Sequence, residues 1–523
     1  MPRIEMRMTR RRGSEALLVL LLPCLPGVAR AEEPAAVVRA VRPDRQAGAV
    51  IGLFDGSKAP SPAAAMAAWR RATGDADGLP KVLQAIAALF NPETADEWRA
   101  FRDAELAATL DADGRPRWSA VVPHDDGSLA ALVTSFRLSG GSDDPPLGDP
   151  PAAVARLGGP DAAVASVTPR GTAFAGRRED LADALSRLAR PASEIPQPDL
   201  LPIGPEDSGF RLAFEPARLP ADLRGVPNLL RLAEAARATG AERIVGFASL
   251  RDDHLDLEFA SRFGASTPAP VLRTPSIDPA WFDFMPADAT QAAAAFAVGR
   301  EPAFVDAMFD VVDRIDRADP ARAGLQPLRV RLNLLATLRG VRLEADLWPK
   351  LRGVGAAAFA DPGRPGSTAG AIVALHADGP DEAEAILAKV AAPALGSLVR
   401  DGTLALARRG STVLVAWGPH ALDVALKSAE APGSSIAGLV GEGGAGAREV
   451  GRAGLFWPGR VRLSGINDDP ASPLAATLAE AAPVAWRGGW DDGRAWDVIR
   501  WGDLRRPVAR FLERVPQAPP EVP

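Results

Sequence analysis

An internal duplication is the feature of this 523-residue sequence that most constrains its fold. The string Leu-Ala-Glu-Ala-Ala occurs at residues 232–236 and again at 478–482, 246 residues later. Five further landmarks recur in the same order at offsets from 240 to 252 residues, and one of them matches an apolar run at 49–54 with another at 292–298. Repetition at this spacing predicts two copies of one structural unit, separated in places by small loop insertions.

Each copy shows the pattern of a strand pair followed by a helix, twice over. In the second copy, residues 354–359 and 370–375 are predicted strands, and residues 381–391 are a predicted helix with one apolar stripe. Turn signals at 252–253 and 491–493 predict hairpins, so neighbouring strands run antiparallel. The predicted class is α+β, with two tandem homologous domains, each a mostly antiparallel sheet with helices packed on it. A doubly wound parallel sheet is the alternative.

Shifts in composition predict the domain boundaries. They are 1–31 for a signal peptide, 32–263 for the first domain, 264–280 for a Pro-rich linker, 281–505 for the second domain and 506–523 for a C-terminal tail. Segments 138–151 and 190–208 are rich in Pro, Gly and Asp, and this composition predicts surface loops.

The N-terminal residues predict an export signal. Arg10, Arg11 and Arg12 precede a short apolar run at 16–25, and a small-residue cleavage site follows at 29–31. The predicted location is therefore periplasmic or extracellular, with no stable membrane span after removal of the signal. Retention of the segment as an anchor stays open, although the run is shorter than a spanning helix needs.

The mature chain is predicted to be acidic and free of cysteine. Removal of residues 1–31 takes away six arginines, two glutamates and Cys24, which moves the formal net charge from −6 to about −10. Without cysteine there is no disulfide, no thiol nucleophile and no Cys-ligated zinc. Nucleic-acid binding depends on Lys and Arg meeting phosphates, so the acidic balance argues against a nucleic-acid partner.

Histidines are candidates for acid–base or metal chemistry because they titrate near neutral pH. His124 and His376 occupy matching places in the two copies, each just before a predicted turn. His420 stands at a predicted helix start and is expected to be exposed. Turn composition explains these three positions without a ligand.

The fourth histidine belongs to a set that resembles a metal site. His254, Asp256 and Glu258 alternate along a predicted strand and so share one face. Leu255 and Leu257 lie between them on the other face. This alternation predicts a solvated outer face for the polar residues, and no metal ligand is assigned.

No cofactor and no catalytic residue are predicted. The spacing Gly441-x-Gly443-x-x-Gly446 matches the dinucleotide fingerprint in its letters, but that chemistry needs a strand before the glycines and a helix after them. The surrounding residues 432–451 indicate a loop instead. The sequence contains no nucleophile elbow, phosphate loop, zinc-protease motif or calcium loop.

A concentration of tryptophan near the C-terminus is the one candidate ligand site. Trp486, Trp490, Trp496 and Trp501 flank the predicted second-copy hairpin, where exposed indoles would form a platform for a sugar or a peptide. Core packing is the favoured alternative. Alternation places Trp496 on the face of Val498 and Trp501 on the opposite face, so the two indoles are expected to differ in burial.

A resemblance extends over residues 283–429. The Pro-Ala-Asp opening at 286–288, the approach through Trp348 to an Ala-rich strand, and the strand, Gly-turn, strand and helix series at 404–427 resemble exported bacterial families of unknown function built from tandem α+β units. The resemblance implies export and a non-catalytic role, and it transfers no active-site residue.

Together these features predict an exported non-catalytic binding or structural protein whose partner is an unknown protein or glycan. The alternative is an extracytoplasmic hydrolase or glycan-active protein that uses dispersed carboxylates and the Trp-rich hairpin. A cleft with converging carboxylates of shifted pKa would favour the enzyme, and an uncharged groove would favour binding.

Overall fold

The structure is a computed structural model of the chain. The residues it describes are 36–41, 105–110, 116–123, 133, 142–147, 151–156, 163–189, 209–216, 234–251, 253–263, 269–301, 303–318, 324–338, 340–361, 367–390, 402–418, 420–431, 435–441, 449–461, 473–491 and 493–514.

These residues form one 18-stranded sheet in which every recorded strand pair is antiparallel. The strands are β1 (Ala36–Val41), β2 (Glu105–Leu110), β3 (Pro116–Val122), β4 (Ser142–Leu147), β5 (Ala152–Arg156), β6 (Val164–Thr168), β7 (Gly171–Ala175), β8 (Gly209–Phe214), β9 (Arg243–Arg251), β10 (His254–Arg262), β11 (Thr290–Ala297), β12 (Leu351–Ala360), β13 (Thr368–Ala377), β14 (Leu404–Arg409), β15 (Thr412–Trp417), β16 (Val450–Phe456), β17 (Val484–Asp491) and β18 (Arg494–Trp501).

The α-helices lie between strands or at the end of the chain. They are α1 (Arg178–Ala189), α2 (Phe304–Ala318), α3 (Leu328–Leu338), α4 (Pro380–Val390), α5 (Ala421–Glu430), α6 (Ala437–Gly441), α7 (Pro473–Ala479) and α8 (Arg505–Arg514). Residues 234–239 are also helical.

The strand order is the same in both copies. Pairing in the first copy runs β4-β5-β6-β7-β3-β2-β1-β8-β9-β10. In the second copy it runs β14-β15-β13-β12-β11-β16-β17-β18, which matches the first copy from β6 onward. Helix α1 follows β7 as α5 follows β15. The predicted α+β class with two tandem antiparallel units is confirmed, and β4 and β5 are an addition to the first copy.

Strands β10 and β18 join the two copies into the continuous sheet. Their register runs from Leu255↔Trp501 to Ser261↔Ala495 and is centred on Glu258↔Val498. The hairpins β9–β10 and β17–β18 are closed by equivalent pairs 240 residues apart. Exchange of the two copies therefore maps the central pair Glu258↔Val498 onto itself and every other pair at this junction onto a second one. This is the self-complementary pairing of a two-fold interface, formed here within one chain.

Two apolar cores cover opposite faces of the second-copy sheet. Side chains alternate between the two faces along β15, so Leu414 and Ala416 lie in one core and Val413 and Val415 lie in the other. Helix α5 covers the first core through Ala425 and similar small or apolar residues. Helix α4 covers the second core in the same way. Each helix therefore buries one stripe against the sheet, as the apolar periodicity predicts.

The repeated pentapeptide does not occupy equivalent positions in the two copies. Its first occurrence ends at Ala236 within a helix, seven residues before β9, whereas its second ends at Ala482, beyond α7 and two residues before β17. The apolar run at 49–54 lies outside the described residues, and the strand that matches β11 is β1. The duplication is therefore shown by the shared strand order and not by the repeated pentapeptide.

Two segments predicted to be irregular contain regular structure. The predicted loop 138–151 contains β4, which pairs with β5. The predicted tail 506–523 contains most of α8, where Arg506 and Arg510 each approach Glu480. Within the predicted linker 264–280, the short helical turn Pro270–Leu272 forms and Ile277 donates its backbone N–H to Val450 O at 2.7 Å.

Candidate binding surface

The Trp-rich hairpin divides its indoles between the two faces of the sheet. Trp486 and Trp490 on β17 share a face with Trp501 on β18, because Trp501 pairs with Val484. Trp496 lies on the opposite face. The four side chains predicted to bind a ligand therefore do not form a single platform.

Trp496 is a core residue. Its side chain is 2% exposed and packs with Val245, Ala260 and Val498 across the junction of the two copies. Trp501 is only partly buried, so the predicted difference between these two indoles is confirmed.

Neighbouring residues partly cover the remaining two indoles of the hairpin. A side chain at position 454 would overlap the Trp486 ring. Because Gly454 has no side chain, that indole can pack closely against the neighbouring strand. The Trp490 ring lies 5.6 Å from the ring of Phe263. These contacts favour packing over ligand stacking for both side chains.

A small cleft lies beside Trp486 and encloses about 260 Å³, including space open to solvent. This is below the usual size of a small-molecule pocket. Its lining residues are Leu439, Val440, Ala485, Trp486, Arg487, Val498 and Arg500. The lining includes no carboxylate, so this cleft lacks the converging acids that a glycosidase-like site requires.

The polar face of β10 is not a solvated outer face. Asp256 is 2% exposed and accepts two hydrogen bonds from Arg500 of β18, at 2.7 and 3.1 Å. His254 Nε2 lies 3.5 Å from Asp256 Oδ2. The Arg500 side chain of β18 covers Asp256, and His254 and Glu258 are partly buried, which corrects the solvated outer face predicted for His254, Asp256 and Glu258. The hydrogen bond to Asp256 also raises the pKa of Arg500.

His376 lies near the end of β13, just before the bend at 378–379, as predicted. Its ring is 2% exposed, stacks on Trp281 at 4.6 Å between centroids, and places Nδ1 3.0 Å from Thr412 Oγ1. Burial lowers its pKa to about 3, so the ring is neutral at physiological pH. A side chain at Gly353 would overlap Trp281, which shows how the sheet makes room for this stack.

The remaining histidines and the carboxylates of shifted pKa have local partners or lie outside the described residues, as His124 does. His420 is exposed, as predicted, and lies 3.8 Å from Asp423. Burial, with the neighbouring Asp278 carboxylate, raises the pKa of Asp283, and Arg117 binds Asp180 in the other copy. Within the described ranges, no group of three or more His, Cys, Asp or Glu side chains is placed to hold a metal ion.

An exposed apolar patch on the second copy is a surface that the sequence did not predict. Leu325, Val330 and Leu334 are 51%, 50% and 59% exposed, and they lie at the start and along one side of α3. They account for three of the five large exposed apolar side chains in the described residues. Burying a side chain of this size is worth about 1.5 to 3 kcal/mol, so a cluster left in water marks a contact surface. These three residues are called the α3 patch below.

Helix α3 is attached to the protein by polar contacts. Leu328 donates its backbone N–H to Asp313 of α2 at 2.7 Å. Arg329 binds Asp306 at 2.6 Å and Glu344 at 3.0 Å, and it lowers the pKa of Glu344. Because ion pairs and a capping bond fix the helix, its apolar side is left facing outward.

Helix α2 is the more deeply buried helix of this pair. Phe304 and Phe309 on α2 are buried, and the Phe309 ring meets Trp348 edge-on at 6.3 Å. None of the α3 residues with a described side chain is buried. The helical hairpin thus has a packed inner helix and an outer helix with apolar side chains in water.

No protein-family model and no curated protein sequence matches the chain. Among solved structures, crystal form I of TP0453 aligns with a TM-score of 0.25 and 8% identity, over 45% of this chain and 77% of that one. Crystal form III of TP0453 aligns with a TM-score of 0.23 and 8% identity, over 45% and 78%. At such low scores the likeness carries no functional inference.

None of the helices among the described residues has the length and apolarity needed to cross a bilayer.

Proposed function

We propose that this chain is an exported, non-catalytic binding protein that engages a protein partner through the α3 patch. The exposure of Leu325, just before α3, and of Val330 and Leu334 on α3 is the observation that carries the proposal. Helix-sized apolar surfaces of this kind are buried when a partner helix or groove packs against them. The resemblance of residues 283–429 to exported families of unknown function built from tandem α+β units is in keeping with export and a non-catalytic role.

The charges around the patch favour a protein partner over an anionic membrane. Membrane-surface helices use Lys and Arg on their polar side to bind anionic headgroups. Here Arg329 is held by Asp306 and Glu344, and Arg331 lies 3.4 Å from Asp316. These cations are neutralised within the hairpin, so apolar contact is the main attraction that the patch offers.

Site-specific crosslinking in the native host tests the proposal. A photoreactive amino acid at Leu334 should yield one discrete crosslinked protein, and the same group at Trp417 is the control because Trp417 is also exposed, at 45%, but lies at the end of β15. The captured protein would then be purified and its Kd measured with the parent and with Leu334→Asp. Loss of at least about tenfold in affinity is expected.

Two results would overturn the proposal. One is equal crosslinking from Leu334 and Trp417, and the other is an unchanged Kd for Leu334→Asp. Substitution of an exposed residue should leave the free energy of unfolding within about 0.5 kcal/mol of the parent, so misfolding would not account for lost binding.

We also propose export with cleavage after residue 31, on the basis of the signal pattern at 10–31. N-terminal sequencing of the protein from its own host should begin at Glu32. An intact Met1 chain recovered from the cytosol would contradict export.

A further inference from the structure

The two outer edges of the 18-stranded sheet are built differently. At the first-copy edge, β4 contains Pro145 and Pro146, and Arg178 donates to the backbone oxygens of these prolines at 2.6 and 2.9 Å. Proline lacks a backbone N–H, and the guanidinium occupies carbonyls that another strand would otherwise bind. This edge is closed to further strand pairing.

Among the described residues, strand β14 forms the opposite edge of the sheet. It contains no proline, and no arginine is recorded on its backbone carbonyls. It has six residues, and β15 is its one partner strand among the described residues. A two-residue turn at 410–411 closes the hairpin on the pair Arg409↔Thr412, with Gly410 at φ 57°. Hydrogen-bonded pairs alternate along an antiparallel ladder, so the N–H and C=O groups of Leu404, Leu406 and Arg408 point away from β15.

In the first copy, the strand equivalent to β14 has a further strand paired with its outer edge. Strand β6 is the counterpart of β14, and it pairs with β7 on one side and with β5 on the other. The contact with β5 is antiparallel, with Ala155↔Ala165 and Arg156↔Val164. No counterpart of the β4–β5 hairpin lies among the described residues of the second copy, and residues 391–401, between α4 and β14, are outside them.

We propose that β14 is an acceptor site for an extended segment of a partner polypeptide, which adds to the sheet as an antiparallel strand in the place that β5 occupies on β6. This surface is distinct from the α3 patch, and the proposal does not depend on it. Main-chain hydrogen bonds would supply the affinity, as in other cases of strand addition.

Side chains on β14 define the chemistry of that segment. Leu406 and Ala407 are partly buried against the two cores, which suits small apolar residues on the incoming strand. Arg408 and Arg409 are exposed at the C-terminal end of β14. An antiparallel partner begins at that end, so carboxylates at its N-terminus would face the two arginines.

A designed peptide provides the probe. Acetyl-Asp-Asp-Val-Ala-Val-Ala-Val-Thr-amide, carrying a fluorophore, should bind the full chain saturably in an anisotropy titration. Hydrogen exchange should show the amides of Leu406 and Arg408 unprotected in the free chain and protected in the complex.

A matched pair of variants tests the role of the backbone. Arg408→Pro removes an outward N–H while it keeps the ladder to β15, and it should weaken peptide binding at least about tenfold. Arg408→Ala keeps the N–H and loses only the guanidinium. Because that group lies 3.4 Å from Glu384 and is already paired, peptide binding should weaken by about threefold or less.

A second test does not depend on the folding of any variant. N-methylation of alternate peptide residues in one register should abolish binding, and N-methylation in the other register should be tolerated, since only one set of N–H groups faces β14.

The proposal fails if no saturable binding occurs up to about 1 mM peptide, or if both N-methyl registers bind equally. It also fails if the amides of Leu406 and Arg408 are already protected in the free monomer, because the chain would then cover its own edge. If the free chain is a dimer that Arg408→Pro converts to a monomer, the occupant is a second copy and the assignment to a partner polypeptide is wrong.

Discussion

Arg500 of the second copy holds Asp256 of the first with two hydrogen bonds, from Nε to Oδ1 at 2.7 Å and from Nη2 to Oδ2 at 3.1 Å. The two residues are directly paired across β10 and β18. The exchange-related position at this junction is the apolar pair Ala260↔Trp496. One side of the junction is thus joined by a salt bridge and the other by a packed indole.

Arg500→Ala should destabilise the protein by about 2 to 4 kcal/mol. The substitution leaves the buried Asp256 carboxylate without its bidentate partner, and part of the usual cost is relieved because Arg500 itself is 35% exposed. Chemical denaturation of the parent and the variant measures the difference. Arg300→Ala, at an ion pair with Asp378 that is largely in solvent, should change stability by less than about 1 kcal/mol. Equal effects at the two sites would contradict the assigned role of the junction.

Trp496→Ala should lower the free energy of unfolding by about 3 to 5 kcal/mol, because it removes a fully buried indole and leaves a cavity between the copies. Trp417→Ala is the control, since that indole is 45% exposed and its loss should have a small effect. Thermal and denaturant unfolding would report both. A variant at Trp496 that melts like the parent but no longer binds a glycan or peptide would revive the ligand-platform hypothesis.

The buried ring of His376 should make stability depend on pH. Its folded pKa of about 3 lies below the ordinary 6.5, so the unfolded chain takes up a proton more readily. The contribution of His376 is complete above about pH 6.5 and is lost as the pH falls toward 3, with a total of roughly 5 kcal/mol. Denaturation at several pH values should show this slope in the parent and a shallower one in His376→Leu.

The same substitution at His420 is the control for that experiment. Solvent surrounds the His420 ring, so His420→Leu should keep the slope of the parent. Identical slopes in the parent and His376→Leu would show that the buried imidazole is not the group responsible.

Local sequence patterns were sufficient to predict much of the secondary structure of the second copy. A turn expected at 408–410 and the apolar periodicity after it predicted β14, β15 and α5, because turn residues and helix faces are encoded within a few positions; the turn in the structure is at 410–411. The opposite outcome occurred at β4, where Pro145 and Pro146 indicated a loop. Pairing with β5 and the contacts of Arg178 overcome that preference, and both are tertiary effects.

Burial at the junction could not be predicted from β10 alone. Alternation correctly placed His254, Asp256 and Glu258 on one face, but Arg500, which binds Asp256, lies 244 residues further along the chain. The exposed side of α3 was missed for a related reason. Its polar attachment depends on Asp306, Asp313 and Glu344, none of which belongs to the helix itself.

Disulfide trapping across the junction tests the central claim, that two homologous units join through β10 and β18 in a register centred on Glu258 and Val498. In a Cys24→Ser background, Glu258→Cys with Val498→Cys should oxidise to an intramolecular disulfide, because facing residues have Cα atoms about 4.5 to 5.5 Å apart. Ala260→Cys with Val498→Cys, a diagonal pair, should crosslink far less. Non-reducing electrophoresis and peptide mapping would score both. Efficient trapping of the diagonal pair, or none at 258 and 498, would contradict the continuous two-copy sheet.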